Sequence, residues 1–114
     1  MTPAVRTLTR GKLQRITHEL GGQSEVARLL RVHRSRVSRW FAGEEPDPAN
    51  LARLEALEFV MGRLLRTFSP ATARKWLFGV NAHLGDRRPV DLLRQDRVAE
   101  VIAAIEQDDA GSFA

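Results

Sequence analysis

Arginine is the commonest residue in the segment with the clearest chemical potential, residues 26–43, which contains no aspartate or glutamate. Arginine presents a planar fork of N–H donors that matches phosphate oxygens and the O6 and N7 atoms of guanine. The segment therefore predicts a binding surface for a polyanion, and duplex DNA is its natural complement. The arginines of this segment are Arg28, Arg31, Arg34, Arg36 and Arg39.

Catalytic and metal-binding patterns are missing from the sequence. The three histidines do not share the helix-facing spacing of a metal site, and the absence of cysteine excludes thiolate ligands and disulfides. Gly21 and Gly22 follow no predicted strand, so they indicate a helix end rather than a phosphate-binding loop. We expect a binding protein that is not an enzyme and that uses no metal and no cofactor.

Charge is distributed unevenly between the two halves of the chain. Residues 1–50 carry nine basic and five acidic side chains, whereas the other 64 residues carry nine of each. This asymmetry favours a polyanionic partner for the first half and a different partner for the second. No apolar run reaches the roughly 18 residues of a membrane span, and residues 1–10 do not resemble a signal peptide. We therefore expect a cytoplasmic protein without membrane contact.

Helical periodicity recurs along the chain, whereas strand patterns do not. There is no tyrosine, and β-branched residues are scattered rather than alternating. The spacing predicts an all-α fold of about seven helices. They are expected at about 10–20, 24–30, 34–42, 48–68, 70–79, 89–93 and from 97 onward, with N-caps at Thr9, Asp47, Ser69 and Asp96.

Two prolines, Pro46 and Pro48, interrupt the helical pattern near the middle of the chain. A proline disfavours the helical conformation of the residue before it, so this segment predicts a joint. We expect an N-terminal DNA-binding lobe over residues 1–46 and a C-terminal helical lobe over residues 47–114. Apolar periodicity is lost after residue 105, which predicts a flexible C-terminal tail.

The long helix after the joint carries an apolar seam. Its members are spaced 3, 4, 3 and 4 residues apart, which is a heptad pattern two repeats long and too short for an independent coiled coil. Two interpretations remain open, namely core packing within the lobe and a seam between two copies of the chain. The seam consists of Leu54, Leu57, Met61, Leu64 and Phe68.

Apolar residues between positions 26 and 40 have the spacing of a helix-turn-helix, in which the second of two tightly crossing helices enters the major groove. Val26, Ala27 and Leu30 would bury the first helix, and Val37 and Trp40 the inner face of the second. The polar residues on the outside are then free for DNA. The predicted DNA-binding residues are Gln23, Ser24, His33, Arg34, Ser35, Arg36, Ser38 and Arg39.

Residues 23–30 and 37–43, QSEVARLL and VSRWFAG, resemble the Xre-type, lambda-repressor-like family of helix-turn-helix proteins. This resemblance implies operator DNA as a partner. Because a single short recognition helix reads too few base pairs for specificity, we expect a dimer or a higher assembly whose recognition helices contact two half-sites. Arg31 stands where that family usually has glycine. A left-handed conformation at this turn would cost a non-glycine residue on the order of 1 kcal/mol.

The second lobe resembles the toxin-binding region of the Xre/MbcA/ParS antitoxins. Its tryptophan, asparagine, leucine, glycine, proline and leucine-pair pattern is present as Trp76, Asn81, Leu84, Gly85, Pro89 and Leu92-Leu93. The resemblance implies a RES-domain toxin that degrades NAD, with the antitoxin's C-terminal tail filling the toxin's active site. The implied toxin-binding residues are Asp108, Asp109, Gly111, Ser112, Phe113 and Ala114.

The physical character of this tail agrees with such a role, since carboxylates and an aromatic anchor suit a cleft that binds a phosphate-bearing substrate. The expected assembly is a homodimer or a hetero-oligomer with the toxin. The alternative is a free-standing Xre-family repressor whose second lobe dimerises or senses a ligand.

Overall fold

Seven α-helices make up the regular structure in a computed structural model that describes the backbone of residues 10–111 and the side chains of residues 10–109. They are α1 (Arg10–Leu20), α2 (Gln23–Leu30), α3 (Arg34–Phe41), α4 (Pro48–Leu64), α5 (Pro70–Phe78), α6 (Pro89–Arg94) and α7 (Val98–Gly111). A 3₁₀ turn covers Ala82–Leu84. The predicted all-α class is confirmed, and the predicted cap Thr9 lies outside the described residues.

The chain divides into two compact units, Met1–Glu58 and Phe59–Ala114. The boundary lies inside α4 and not at the predicted joint after residue 46. The prolines end one helical run, but the start of α4 belongs to the first unit, where Glu58 lies 3.2 Å from the guanidinium of Arg15. The end of α4 belongs to the second unit, where Arg63 lies 4.0 Å from Glu106.

The apolar seam of α4 is core within the single chain. Leu54, Leu57 and Met61 are fully buried, and Leu64 is 1% exposed. These side chains are therefore not available to a second copy, and the interpretation of the seam as a dimer contact is wrong. The regular helix ends at Leu64, and hydrogen-bonded turns continue to Phe68, whose N–H donates to the carbonyl of Leu64 at 2.8 Å.

Two helices begin with the predicted combination of a cap and a proline. The Asp47 carboxylate accepts the N–H of Asn50 at 3.3 Å at the start of α4. The Ser69 hydroxyl accepts the N–H of Thr72 at 3.3 Å at the start of α5. In both helices the proline is the first helical residue, where its missing N–H has no consequence. These local signals could be interpreted correctly because they act over three residues.

Left-handed residues end several helices. Arg31 ends α2 with φ 57° and ψ 44°, and the following N–H, of Val32, donates to Ala27 at 3.0 Å. Asp96 ends α6 in the same way, with φ 62° and the N–H of Arg97 bonded to Leu92 at 2.9 Å. Both are Schellman motifs, which satisfy the last carbonyls of a helix. Asp96 therefore ends α6 and is not the predicted N-cap of α7.

Helix α7 is longer than its apolar pattern indicates, because it continues to Gly111. Val101, Ala104 and Ile105 are buried, and the helix continues through the polar residues 106–109 to Gly111. The predicted flexible tail is therefore wrong for residues 106–111. No helix within residues 10–111 is long and apolar enough to span a bilayer.

Candidate DNA-binding and partner-binding surfaces

Helices α2 and α3 cross with their apolar sides buried. Val26 and Val37 are fully buried, and Ala27 and Trp40 are 4% and 5% exposed. The small side chain of Ala27 lets the two helices approach closely, as a helix-turn-helix requires. The buried inner face of α3 fixes which of its residues face solvent.

The outer face of α3 is polar and exposed. All six residues predicted to lie there are exposed, namely His33, Arg34, Ser35, Arg36, Ser38 and Arg39. With three guanidinium groups on a short helix, this face attracts the phosphates of a duplex and offers donors to base edges. The positions of these residues agree with the sequence prediction.

Three of the predicted residues also hold the helix in place. The Nδ1 atom of His33 accepts the N–H of Ser35 at 3.1 Å, so His33 is the N-cap of α3. The Ser38 hydroxyl donates to the side-chain oxygen of Gln23 at 3.0 Å, which joins α3 to the start of α2. Ser24 is the exposed second residue of α2. The sequence motif had no signal for this capping role of His33.

Acidic residues after α3 pair with two of its arginines. Arg36 lies 3.6 Å from Asp47, and the Nε of Arg39 donates to Glu44 at 3.4 Å. Arg34 has no ion pair in the part of the chain that the structure describes. The hydrogen bond from the Asn50 amide, with a smaller contribution from Arg36, lowers the pKa of Asp47 below its ordinary value. Asp47 is therefore charged at neutral pH.

A closed loop between α5 and α6 is built around Asn81 in the second unit. The Asn81 side chain is buried and accepts the N–H of His83 at 2.9 Å. Its backbone pairs with Arg87, with the Asn81 N–H donating to the Arg87 carbonyl at 3.0 Å. Gly85 turns the chain between them with φ 66°. The asparagine and glycine of the sequence motif thus shape this loop.

Trp76, His83 and Asp108 form a cluster at the C-terminal end of α7. The indole N–H of Trp76 donates to the Asp108 carboxylate at 2.5 Å, and His83 Nε2 lies 3.1 Å from its other oxygen. Asp108 therefore belongs to the body of the second unit, which corrects its placement in a free tail. The pair Trp76 and Asp108 is 32 residues apart in sequence, so no local pattern indicates it.

A shallow cleft of about 300 Å³ opens beside this cluster. Val80 lies on its edge and is 73% exposed, which makes it one of two large apolar side chains that are exposed in the described range. The exposed apolar side chain of Val80 therefore lies next to the polar groups of the cleft. The cleft is lined by Lys75, Trp76, Gly79, Val80, Asn81, Ala82, His83 and Asp108.

The other residues assigned to the tail differ in where they lie. Asp109 is half-buried on α7, and Gly111 is the last described residue of that helix. Ser112, Phe113 and Ala114 lie outside the described residues. Among the side chains of residues 10–109, histidines and carboxylates form no group of three that could hold a metal ion.

Comparison with known proteins agrees with this geometry. A family model described as Helix-turn-helix matches residues 12–57, which include α1 to α3 and the first part of α4. The fold and this match define the class of the first unit as a helix-turn-helix domain.

Relatives cover more of the chain than this domain. The mycobacterial cidal antitoxin MbcA, from Mycobacterium tuberculosis and Mycobacterium bovis, is 32% identical over 90 residues, which are 78% of this chain and 80% of the relative. A probable mycobacterial cidal antitoxin of M. tuberculosis is 32% identical over 91 residues, or 80% of this chain and 78% of that relative. This chain belongs to the MbcA family of antitoxins.

A solved structure has a similar fold over most of its length. The crystal structure of the M. tuberculosis MbcT–MbcA toxin–antitoxin complex contains a chain with a TM-score of 0.76 and 29% identity. The match covers 92% of this chain and 96% of that one. The relatives of the present chain named above are antitoxins rather than enzymes.

Proposed function

We propose that this protein is the antitoxin of a type II toxin–antitoxin pair. It binds and inhibits a RES-domain toxin that degrades NAD, and it represses its own operon by binding operator DNA through α3. The observation that carries this proposal is the similarity, over 92% of the chain, to a protein solved in a toxin–antitoxin complex.

Support for the DNA-binding function comes from the exposed face of α3. Arg34, Arg36 and Arg39 project from the outer side of a helix whose inner side is buried by Val37 and Trp40. Arginine side chains in this position contact bases and phosphates in other helix-turn-helix proteins. A triple alanine variant of these arginines is expected to lose operator binding while keeping its helix content.

The second unit is the proposed binding site for the toxin. Its exposed Val80 and the cleft beside Trp76 give an apolar anchor with polar groups around it, as in the centre and rim of a protein interface. We propose that the edge of this cleft contacts the outer surface of the toxin. The terminal residues Ser112–Ala114 are proposed to enter the toxin's active site and exclude the dinucleotide.

An NAD-consumption assay with the toxin encoded by the neighbouring gene tests the tail. The variant to compare ends at Gly111, because a chain that ended at Gln107 would also remove the partner of the Trp76 indole, Asp108. We expect the shortened chain to bind the toxin but to suppress NAD turnover less than the full chain. Phe113→Ala should have a similar effect, since a hot-spot aromatic contributes about 2 kcal/mol or more.

Two measurements make the result decisive. Far-UV circular dichroism checks that the shortened chain keeps its helix content, and a pull-down with the toxin separates binding from inhibition. If the shortened and full chains suppress turnover equally at near-stoichiometric concentrations, active-site filling by the tail is wrong. If neither chain binds the toxin, the antitoxin function itself is wrong, and a free-standing repressor remains.

A further inference from the structure

The last turn of α7 contains residues that do not stabilise a helix by themselves. Ile105 is the last buried residue of α7 among the described side chains, and three of the residues 106–109 carry a carboxylate. Carboxylates near the C-terminus of a helix are unfavourable, because they lie close to the negative end of the helix dipole. The last carbonyl groups of a helix also lack partners within it. The turn that ends at Gly111 therefore depends on contacts with other elements of the second unit.

Asp108 makes two contacts of this kind. One of its carboxylate oxygens accepts the indole N–H of Trp76 at 2.5 Å, and the other lies 3.1 Å from Nε2 of His83. Trp76 belongs to α5 and His83 to the 3₁₀ turn, so a single carboxylate joins the end of α7 to two other elements. We call Trp76, His83 and Asp108 the Asp108 cluster.

The 3₁₀ turn of this cluster is itself fixed to the loop that carries Val80. The backbone N–H of His83 donates to the buried side chain of Asn81 at 2.9 Å, and Asn81 directly follows Val80. Val80 and the Asp108 cluster line the same cleft. Only three residues follow Asp108 in α7. The cluster therefore connects the exposed apolar side chain of Val80 to the point from which the terminal segment starts.

We infer that the Asp108 cluster positions the end of α7 for inhibition of the toxin. The inference rests on the proposed function, in which Val80 contacts the surface of the toxin and the residues after Gly111 enter its active site. A toxin bound at Val80 then meets the terminal residues at a high effective concentration. Fixing the last turn before binding also reduces the entropy cost of ordering it in the complex. Asp108 is in this role a positioning residue.

The geometry favours positioning over a direct contact between Asp108 and the toxin. Both oxygens of this carboxylate have partners within the second unit, and the side chain is 32% exposed. A carboxylate that contacted the toxin in place of a substrate phosphate would act through its charge. A positioning carboxylate acts through the hydrogen bonds that it accepts. Replacement of the carboxylate by an amide therefore separates the two roles.

The affinity for the toxin, measured by titration calorimetry, tests the inference in two backgrounds, the full chain and the chain that ends at Gly111. In the full chain, Asp108→Ala should raise the dissociation constant about tenfold, which is part of the roughly 10²- to 10⁴-fold that linking two contacts can add. In the shortened chain, the same substitution should change the constant by less than about twofold, because no terminal residues remain to be positioned. A residue that only stabilises the fold would affect both chains equally.

Two further variants separate hydrogen bonding from charge. Asp108→Asn should keep most of the affinity, since the amide oxygen can accept the indole N–H and the NH₂ group can donate to the imidazole. Glu106→Ala is the matched control, because it removes the same charge from α7 outside the cluster. Glu106 lies 4.0 Å from Arg63 in an exposed ion pair, so the control should keep full affinity.

Hydrogen exchange of the backbone amides of residues 109–111 tests the positioning without the toxin. These amides should exchange faster in Asp108→Ala than in the unaltered protein, because the last turn of α7 then opens more often. The rest of the second unit should keep its exchange rates, which checks that the variant remains folded.

Four outcomes would overturn the inference. They are an Asp108→Ala effect of equal size in the two chains, an Asp108→Asn variant as weak as Asp108→Ala, an equal loss in Glu106→Ala, and unchanged exchange at the end of α7. If the unaltered full and shortened chains suppress NAD turnover equally, the proposed function of the tail is wrong and the inference fails with it. If the full chain is the better inhibitor, any of the four outcomes contradicts the inference alone.

Discussion

The guanidinium of Arg39 has an anionic neighbour before any DNA is present. Glu44 lies 3.4 Å from its Nε atom, and both side chains are about half exposed. A phosphate that binds Arg39 must therefore compete with a carboxylate of the same chain. Arg36 has a similar neighbour in Asp47, but Asp47 also caps α4, so Glu44 is the better position for a test.

Replacing Glu44 with Gln is expected to raise DNA affinity a few-fold at low salt. The carboxylate no longer neutralises Arg39, and the gain should be similar on operator and random sequences because phosphate attraction does not depend on sequence. The difference should shrink as salt screens exposed charges. Fluorescence anisotropy of labelled duplexes at several salt concentrations measures it.

Glu106→Gln is the matched control for this change. It alters the net charge equally but lies in the second unit, 4.0 Å from Arg63. Equal affinity gains in the two variants would mean that overall charge, and not the pairing with Arg39, limits binding.

Single residues also mark where sequence reasoning succeeds and where it stops. The outward face of α3 could be predicted because Val37 and Trp40 set its orientation through helical periodicity alone. Asp108 could not be placed, because its partners Trp76 and His83 reach it only through the folded second unit. A carboxylate near the end of a chain looks the same in sequence whether it is free or paired.

At the scale of helices, the left-handed residue that ends α2 has the most strained backbone conformation among the described residues of the first unit. Arg31 adopts φ 57°, a region that costs a residue with a Cβ about 1–2 kcal/mol relative to glycine. The fold tolerates this conformational cost at Arg31 because the turn between α2 and α3 requires a Schellman motif. The strain predicted from the sequence is thus present in the structure.

Arg31→Gly should raise the free energy of unfolding by up to about 1 kcal/mol. The relief of strain is partly offset by the larger conformational entropy of glycine in the unfolded chain, about 0.5–1 kcal/mol. Urea unfolding followed by circular dichroism measures the change. Arg31→Ala removes the same charge and keeps the Cβ, so it should bring no gain, and equal stability of the two variants would contradict the argument.

Helix α6 is stabilised by a carboxylate in its first turn. Asp91 accepts hydrogen bonds from Arg88 at 3.0 Å and from Arg94 at 2.9 Å, and Arg88 contributes most to lowering the pKa of Asp91. Because its pKa is lower in the folded than in the unfolded chain, the carboxylate stabilises the fold at neutral pH. This stability is lost as the pH falls from the unfolded value, about 3.9, through the folded one.

Asp91→Asn should therefore lower the free energy of unfolding at pH 7 by about 0.5–1 kcal/mol, as expected for a partly exposed ion pair. The difference from the unmodified protein should diminish in acid, where the aspartate is protonated in both states. Urea unfolding at a series of pH values from neutral to acidic tests this. A difference of constant size at every pH would show that Asp91 acts through packing instead of charge.

Helix boundaries could be predicted where a local sequence signal has only one structural interpretation. Ser69 before Pro70 starts a helix and has no common alternative role. Asp96 is different, because aspartate is favoured as an N-cap and is also tolerated in a left-handed helix ending. The structure uses the second role, and only the hydrogen bonds of Asp96 and Arg97 to α6 distinguish the two.

At the scale of the whole molecule, the proposed DNA and toxin surfaces belong to different units. The exposed face of α3 lies in Met1–Glu58, and Val80 lies in Phe59–Ala114. The presence of two units could be predicted from the sequence, but the position of the boundary between them could not. The reason is that α4 contributes its first part to one unit and its last part to the other. A proline pair indicates where a helix starts, whereas the unit to which a helix belongs depends on tertiary contacts.

Val80→Asp should weaken toxin binding about tenfold or more and leave operator binding unchanged. A charge at a side chain that is 73% exposed disturbs the fold little, but it must be desolvated in an apolar contact. Titration calorimetry with the toxin and anisotropy with operator DNA measure the two effects. Ala99→Asp, an equal charge change on the exposed side of α7, is the control and should keep full affinity for both partners.

The two tryptophans give this chain one natural optical reporter in each unit. Trp40 is buried in the first unit, Trp76 is half-buried in the second, and the chain has no tyrosine to contribute emission. Trp40→Phe and Trp76→Phe would each leave a single indole whose fluorescence follows one unit alone. The pair of variants can therefore resolve whether the units melt together or one after the other, and which of them becomes more rigid as DNA or toxin is added.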